Sequence, residues 1–119
     1  MEKLVFTIKE SSFIVEAEGK KLRVSYDEFC GNHEDAMKFC EEHNGGDESL
    51  ENLQFIAKHR DAINVVLKKH GKEPIKGWYW SNEVAWWDDG FAFVVSTGNG
   101  DVDNDCRDCT YDARAISVV

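Results

Sequence analysis

The residues best suited to do chemistry lie between Asp101 and Asp112. Asp101, Asp103 and Asp105 set carboxylates at alternate positions and Asp112 falls at the twelfth, the spacing of a calcium-binding loop. The sixth position of such a loop needs Gly for its sharp turn, but Cys106 stands there. The seventh brings the Arg107 guanidinium beside the carbonyl that should bind, and Asp112 is shorter than the usual bidentate Glu. The pattern therefore argues against a calcium loop of that type and leaves open only a looser cation site. Cys106-Arg107-Asp108-Cys109 has the spacing of zinc and redox pairs. Zinc would need two more ligands, drawn from Cys30, Cys40 or a His (His33, His43, His59, His70). Redox use would need a lowered thiol pKa, which Arg107 favours and the neighbouring aspartates oppose. A small metal-binding or redox-active protein using Cys106 and Cys109 is thus the alternative reading.

Aromatic residues offer a different chemistry. Trp86 and Trp87 adjoin a turn, and an exposed indole can stack on a sugar or a side chain. Neighbours on a strand point to opposite sides, so one of the two is expected to face outward. Trp78 and Trp80 share one strand face, and Trp80 is expected in the core. There is no Ser-His-Asp constellation, phosphate-cradling Gly loop or HExxH helix, so the sequence supports no enzyme and implies no cofactor.

The formal charge is −9, and it is unevenly spread. Residues 1–77 hold twelve Lys or Arg against fifteen Asp or Glu, whereas residues 78–119 hold two against eight. That field repels phosphate backbones, which disfavours nucleic acid as a partner. It suits either a solvated surface or a face that docks a basic partner. No apolar run is long enough to insert in a membrane, and the start, Met1 to Lys9, shows no secretory signal. The expected location is the cytoplasm, or a phage or cell surface. In the cytoplasm the four cysteines are expected to be reduced; in an exported protein their even number would permit two disulfides of undetermined pairing.

The elements that position these residues follow from pattern. At 119 residues the chain, 1–119, reads as a single domain with room for one core. Leu4–Ile8, Phe13–Ala17 and the alternation of Leu22, Val24 and Tyr26 predict a three-stranded opening. Asn32 is a good N-cap for a helix with Ala36, Phe39, Cys40 and His43 on one face, stopped by Asn44-Gly45-Gly46. Cys40 on that face reads as an inert core thiol. Asp47 or Ser49 caps a second helical stretch bearing Leu50, Leu53, Ile56 and Ala57, and Asp61 to His70 continues it as one bent helix or as two. Strands are then predicted at Gly77–Asn82 and Phe91–Ser96, with turns at Asp88-Asp89-Gly90 and Gly98-Asn99-Gly100. Asp101 to Asp112 reads as a polar strand and loop, and Ala113–Val119 as a closing strand. Strands, helices, then strands predict an α+β domain with a mainly antiparallel sheet, two or three helices and both termini in that sheet.

Three short strings carry a resemblance: Ala36-Met37-Lys38-Phe39-Cys40, Tyr79-Trp80-Ser81-Asn82 and Asp112-Ala113-Arg114-Ala115-Ile116. They are similar to the "Ala-x-x-Tyr-Cys", "Tyr-Trp-Ser-Ser" and "Val-Arg-Ala-Val" signatures of bacterial C-type lectin-like domains, over residues 33–117. The resemblance implies a C-type lectin-like fold. It also implies a non-catalytic recognition or display role for the protein, of the kind found in surface-display and phage receptor-binding proteins. Those relatives vary side chains in the region that Asn99, Asp101, Asp103, Asn104, Asp105 and Arg107 occupy here. The family's Trp-Arg-Leu-Pro-Thr segment is replaced by Gly46-Asp47-Glu48-Ser49, and the sugar- and calcium-binding strings Glu-Pro-Asn and Trp-Asn-Asp of animal lectins are missing. The sulfatase-activating branch of the fold pairs cysteines at a wider spacing than Cys106 and Cys109. The expected ligand is a protein or a carbohydrate, contacted by Trp86, Trp87 and the acidic C-terminal loops.

Overall fold

The computed structural model describes residues 4–119; Met1 to Lys3, where the segment read for a secretory signal begins, lie outside it. The chain is α+β, with three helices and two sheets rather than one. Strands β1 (Val5–Ile8), β2 (Ser12–Ala17) and β3 (Lys20–Ser25) form an antiparallel meander, and β9 (Ile116–Val118) joins it beside β3. The first and last strands therefore share a sheet, in the order β1-β2-β3-β9. The second sheet has the order β4-β8-β5-β6-β7, built from β4 (Phe29–Gly31), β5 (Trp78–Val84), β6 (Phe91–Ser96), β7 (Val102–Cys106) and β8 (Tyr111–Ala113). All its pairings are antiparallel except β5 with β8.

Between the two groups of strands come α1 (His33–Glu42), α2 (Leu50–Lys58) and α3 (Arg60–Lys69). Asn32 caps α1 by accepting from the Asp35 N–H, and Ser49 caps α2 through the Asn52 N–H. His59 ends α2 and opens α3, so the long helical stretch is two helices. No helix among the described residues is long and apolar enough to cross a membrane.

Period-two alternation along β5 divides the interior in two. Tyr79 joins a larger core with Phe13, Val15, Leu22 and Val24 of the first sheet, Leu53 and Ile56 of α2, Ile63 and Leu67 of α3, and Val95 of β6. Trp80 turns the other way, into a smaller core where Ala36 and Cys40 of α1 meet Ala92, Val94 and Ala113. Trp80 is wholly buried; its Nε1–H donates to the Gly31 carbonyl at 3.0 Å, and its ring meets His33 and Tyr111 edge-on, each at 5.0 Å. The second sheet thus packs α2 on one face and α1 on the other, and its exposed positions include Cys30 on β4, the far end of β5 and Val102 to Asn104 on β7.

The closing run is not one strand. β8 ends at Ala113 in the second sheet and β9 begins at Ile116 in the first, so the chain changes sheets at Arg114-Ala115. Arg114 is buried there. Its guanidinium donates to the carbonyls of Ser25, Tyr26 and Glu73 and pairs with the Glu28 carboxylate at 2.8 Å. These acceptors come from the end of β3, the β3–β4 connection and the loop after α3, so one side chain ties both sheets to the helical insert.

Candidate functional site

β6 is the axis of the candidate region, because the predicted site residues divide between its two ends. The β5–β6 connection, at the Phe91 end, carries Trp86, Trp87, Asp88 and Asp89. The β6–β7 turn, at the Ser96 end, carries Asn99 and Asp101. Asp103, Asn104 and Asp105 lie on β7 between the two, opposite Val94, Phe93 and Ala92. Arg107 returns to the Phe91 end, where its N–H donates to the Gly90 carbonyl. Strand rise separates the two ends by roughly 17 Å, so these residues line a strip and do not converge on one small ligand.

Trp86 and Trp87 sit in a turn after β5 and not on a strand, so the opposite-sides rule does not apply to them. Both are exposed, at 88% and 49%. The two rings meet at 5.2 Å and 86°, and Trp87 meets Phe93 at 5.7 Å and 82°. Phe93 shares the β6 face of Val95, the face that α2 covers further along, and Asn104 lies opposite it on β7. Exposed Val102 falls on that same face. The result is an aromatic ladder from Phe93 up to Trp86, beyond the edge of α2. Sequence pattern flags the two indoles; Phe93 joins them only through the bend of the hairpin.

The polar candidates are engaged locally. In the β6–β7 turn Asn99 accepts from the Asp101 N–H and donates to its carboxylate, both at 3.0 Å. On β7, Asp103 and Asp105 accept from the N–H groups of Asn104 and Cys106, each at 2.8 Å. Asp105 also receives the Tyr111 hydroxyl at 2.5 Å, and this bond, with that from Cys106, holds its carboxyl below the usual range. The same bond pushes the Tyr111 phenol up to about 12. Arg107 donates from Nε to His33 Nδ1 at 3.1 Å and from Nη1 to the Asp89 carbonyl at 3.1 Å. It braces α1 against the hairpin on the face opposite the ladder.

Cys106 and Cys109 bracket a turn closed by the Cys109 N–H on the Cys106 carbonyl. The Cys109 thiol donates to the Asp105 carboxylate at 3.4 Å, and that bond is the main cause pushing its pKa up. A thiolate, the form that redox exchange or zinc would use, is disfavoured there. Among the described residues no three His, Cys, Asp or Glu side chains are grouped to hold a metal ion. Cys40 is buried with its thiol pKa strongly raised by desolvation, and donates to the Arg114 carbonyl.

Two buried groups stand out: His33, named in the sequence only as one of several possible zinc ligands, and Glu48, which no pattern marks. His33 donates from Nε2 to the Ser81 carbonyl at 2.8 Å and lies edge-on to Trp80. Glu48, in the segment before α2, accepts from the N–H groups of Gly46 and Ile116 while its own carbonyl accepts from Asn82. Both side chains are committed to the protein's own backbone or to Arg107, and so serve the frame that carries the ladder. No protein-family model matches this chain, and comparison with curated proteins and with solved structures likewise finds no match.

Proposed function

We propose that this protein is a non-catalytic recognition or display module that binds a protein or glycan ligand through the Trp86–Trp87–Phe93 ladder and the adjoining acidic hairpin. The observation that carries the reading is the exposure of Trp86, the most exposed large apolar residue among those described. Burying an indole contributes favourable free energy wherever a partner can cover it, and Trp is enriched among the residues that dominate interfaces. A soluble domain that leaves paired indoles uncovered bears the marks of a contact surface. The resemblance of the Tyr79-Trp80-Ser81-Asn82 and Ala113-Arg114-Ala115-Ile116 strings to C-type lectin-like domains, many of which display variable surfaces, supports the same reading.

The test uses arrays of immobilised peptides and glycans probed with the wild-type protein and with Trp86→Ala. Because Trp86 lies outside both cores, the substitution leaves the fold intact, which circular dichroism checks. Ligands retained by the wild type and lost by Trp86→Ala support the reading. Empty arrays, or identical patterns from the two proteins, refute it.

A further inference from the structure

The ladder's surroundings narrow the class of partner. Of the residues from Trp78 onward only Arg107 and Arg114 are cationic, and neither makes a ring contact with the ladder among the described residues. Arg114 is buried between the sheets, and the Arg107 guanidinium is taken up by His33 Nδ1 and by the backbone carbonyl of Asp89. Around the ladder stand carboxylates: Asp88 and Asp89 follow Trp87 in the hairpin turn, and both are exposed. Glu83 lies on the α2 side, where it accepts from the Leu50 N–H. Asp88 and Glu83 each accept a single backbone N–H among the bonds that involve them, through one carboxylate oxygen. The second oxygen of each carboxylate has no protein hydrogen bond among those described, although Glu83 shares its charge with the N-terminus of α2.

Ring geometry points the same way. Successive rings of the ladder stand at 86° and 82°, so no two neighbouring rings make the coplanar platform on which a flat sugar face would lie. They make aromatic corners, the arrangement in which the negative ring faces attract a cation. A guanidinium or ammonium entering such a corner stacks on an indole and has anionic partners beside it.

We propose that the ladder, rimmed by Glu83, Asp88 and Asp89, docks an Arg- or Lys-bearing polypeptide segment of a partner protein. The proposal rests on the recognition reading above and specifies its ligand as cationic polypeptide. Each stacked cation adds to affinity and the carboxylates raise the association rate at low salt.

Isothermal calorimetry with a short oligo-arginine peptide, a Gly-Ser peptide of equal length and a neutral oligosaccharide tests it. The proteins are wild type, Trp86→Ala, the double variant Asp88→Asn/Asp89→Asn, and Asp101→Asn/Asp103→Asn as a far-end control that removes equal charge from the β6–β7 turn and the adjoining part of β7. The wild type is expected to bind only oligo-arginine, more weakly as salt rises. Trp86→Ala should weaken binding by about 3–5-fold, and Asp88→Asn/Asp89→Asn should weaken it more than the far-end control does. Oligo-arginine binding that Trp86→Ala leaves unchanged, or that both charge variants weaken equally, overturns the proposal, since it would report overall acidity alone. No oligo-arginine binding also overturns it. Oligosaccharide binding lost in Trp86→Ala would then preserve the recognition reading, and silence from all three probes would sink both.

Discussion

His33 and Arg107 are joined by a hydrogen bond that fixes the charge of the imidazole. Arg107 Nε donates to His33 Nδ1 at 3.1 Å, and a guanidinium has only donors. The other ring nitrogen faces the Ser81 carbonyl, which can only accept. Nδ1 is therefore the acceptor and Nε2 carries the single proton, so the ring in this fold is neutral. A second proton would remove the acceptor and set a cation beside a guanidinium.

The pKa of His33 is accordingly lowered, chiefly by burial, with Arg107 adding to the effect and the bond to the Ser81 carbonyl opposing it. In the unfolded chain a histidine titrates near its ordinary value of about 6.5. Below that pH the unfolded state takes up a proton that the folded state refuses, so this contribution to stability is complete above about pH 6.5 and declines as pH falls. Urea midpoints of the wild type should drop between about pH 7 and pH 5, and the drop should be smaller in His33→Gln. In Arg107→Met the His33 ring, followed by NMR, should titrate at higher pH than in the wild type. An unchanged His33 titration would show that Arg107 does not set the state of the ring.

Much of this frame is legible in the sequence, and the exceptions have physical causes. The α1 cap at Asn32, the Gly-rich stop after it and the burial of Trp80 follow from local pattern, because capping and alternation act over a few residues. The break at Arg114-Ala115 does not. Ala113 to Val119 is apolar enough to read as one strand, and the chain bends there because buried Arg114 meets acceptors from two distant segments, one running from the end of β3 to β4 and one after α3. β4 has three residues, too few for a pattern. The candidate site residues are close in sequence, whereas the length of β6 places Trp86 and Asn99 at opposite ends of that strand.

Trp80 bears the smaller core, so its substitution should reveal how much of the fold depends on it. Trp80→Phe keeps an aromatic ring but removes the donor to Gly31 and leaves space between His33 and Tyr111. The loss should be about 2–3 kcal/mol, read from denaturant unfolding, as the sum of an orphaned carbonyl and a partial cavity. Binding by the ladder should persist in the folded fraction, because Trp86 and Trp87 do not belong to that core. A variant as stable as wild type would contradict the two-core account.

Glu48 separates charge from hydrogen bonding. Burial raises its carboxyl pKa even though the N–H groups of Ile116 and Gly46 lower it. A raised carboxylate contributes most below its unfolded pKa of about 4.3 and loses that contribution as pH rises through the folded value. At neutral pH the charge is thus a cost and the acceptor a benefit. Glu48→Gln keeps an acceptor and should be at least as stable as the wild type near neutral pH. Glu48→Ala strands the buried Ile116 N–H, removes the acceptor of the Gly46 N–H, and should lose about 1–3 kcal/mol. Thermal unfolding of the two variants decides it: equal losses would show that the charge itself is required.

The last prediction concerns β7, the outer strand of the second sheet. Odd-numbered residues there turn their backbone groups toward β6, as the flanking bonds Ser96 N–H to Asp101 and Arg107 N–H to Gly90 indicate. The N–H groups of Asn104 and Cys106 therefore point outward, where an added strand would bond them. Asp103 and Asp105 accept those two N–H groups themselves. The edge is closed by the side chains of its own strand as well as by their charge, two of the means by which sheets avoid joining edge to edge. Asp103→Ala frees one outward N–H without touching the Asp105–Tyr111 bond, so the strand should stay in place while its edge opens. Light scattering should then show self-association that rises with concentration, and Asp101→Ala, which removes the same charge from the turn, should stay closer to the wild type. Equal association in the two variants would mean that charge alone guards this edge and that the Asp103–Asn104 bond is incidental.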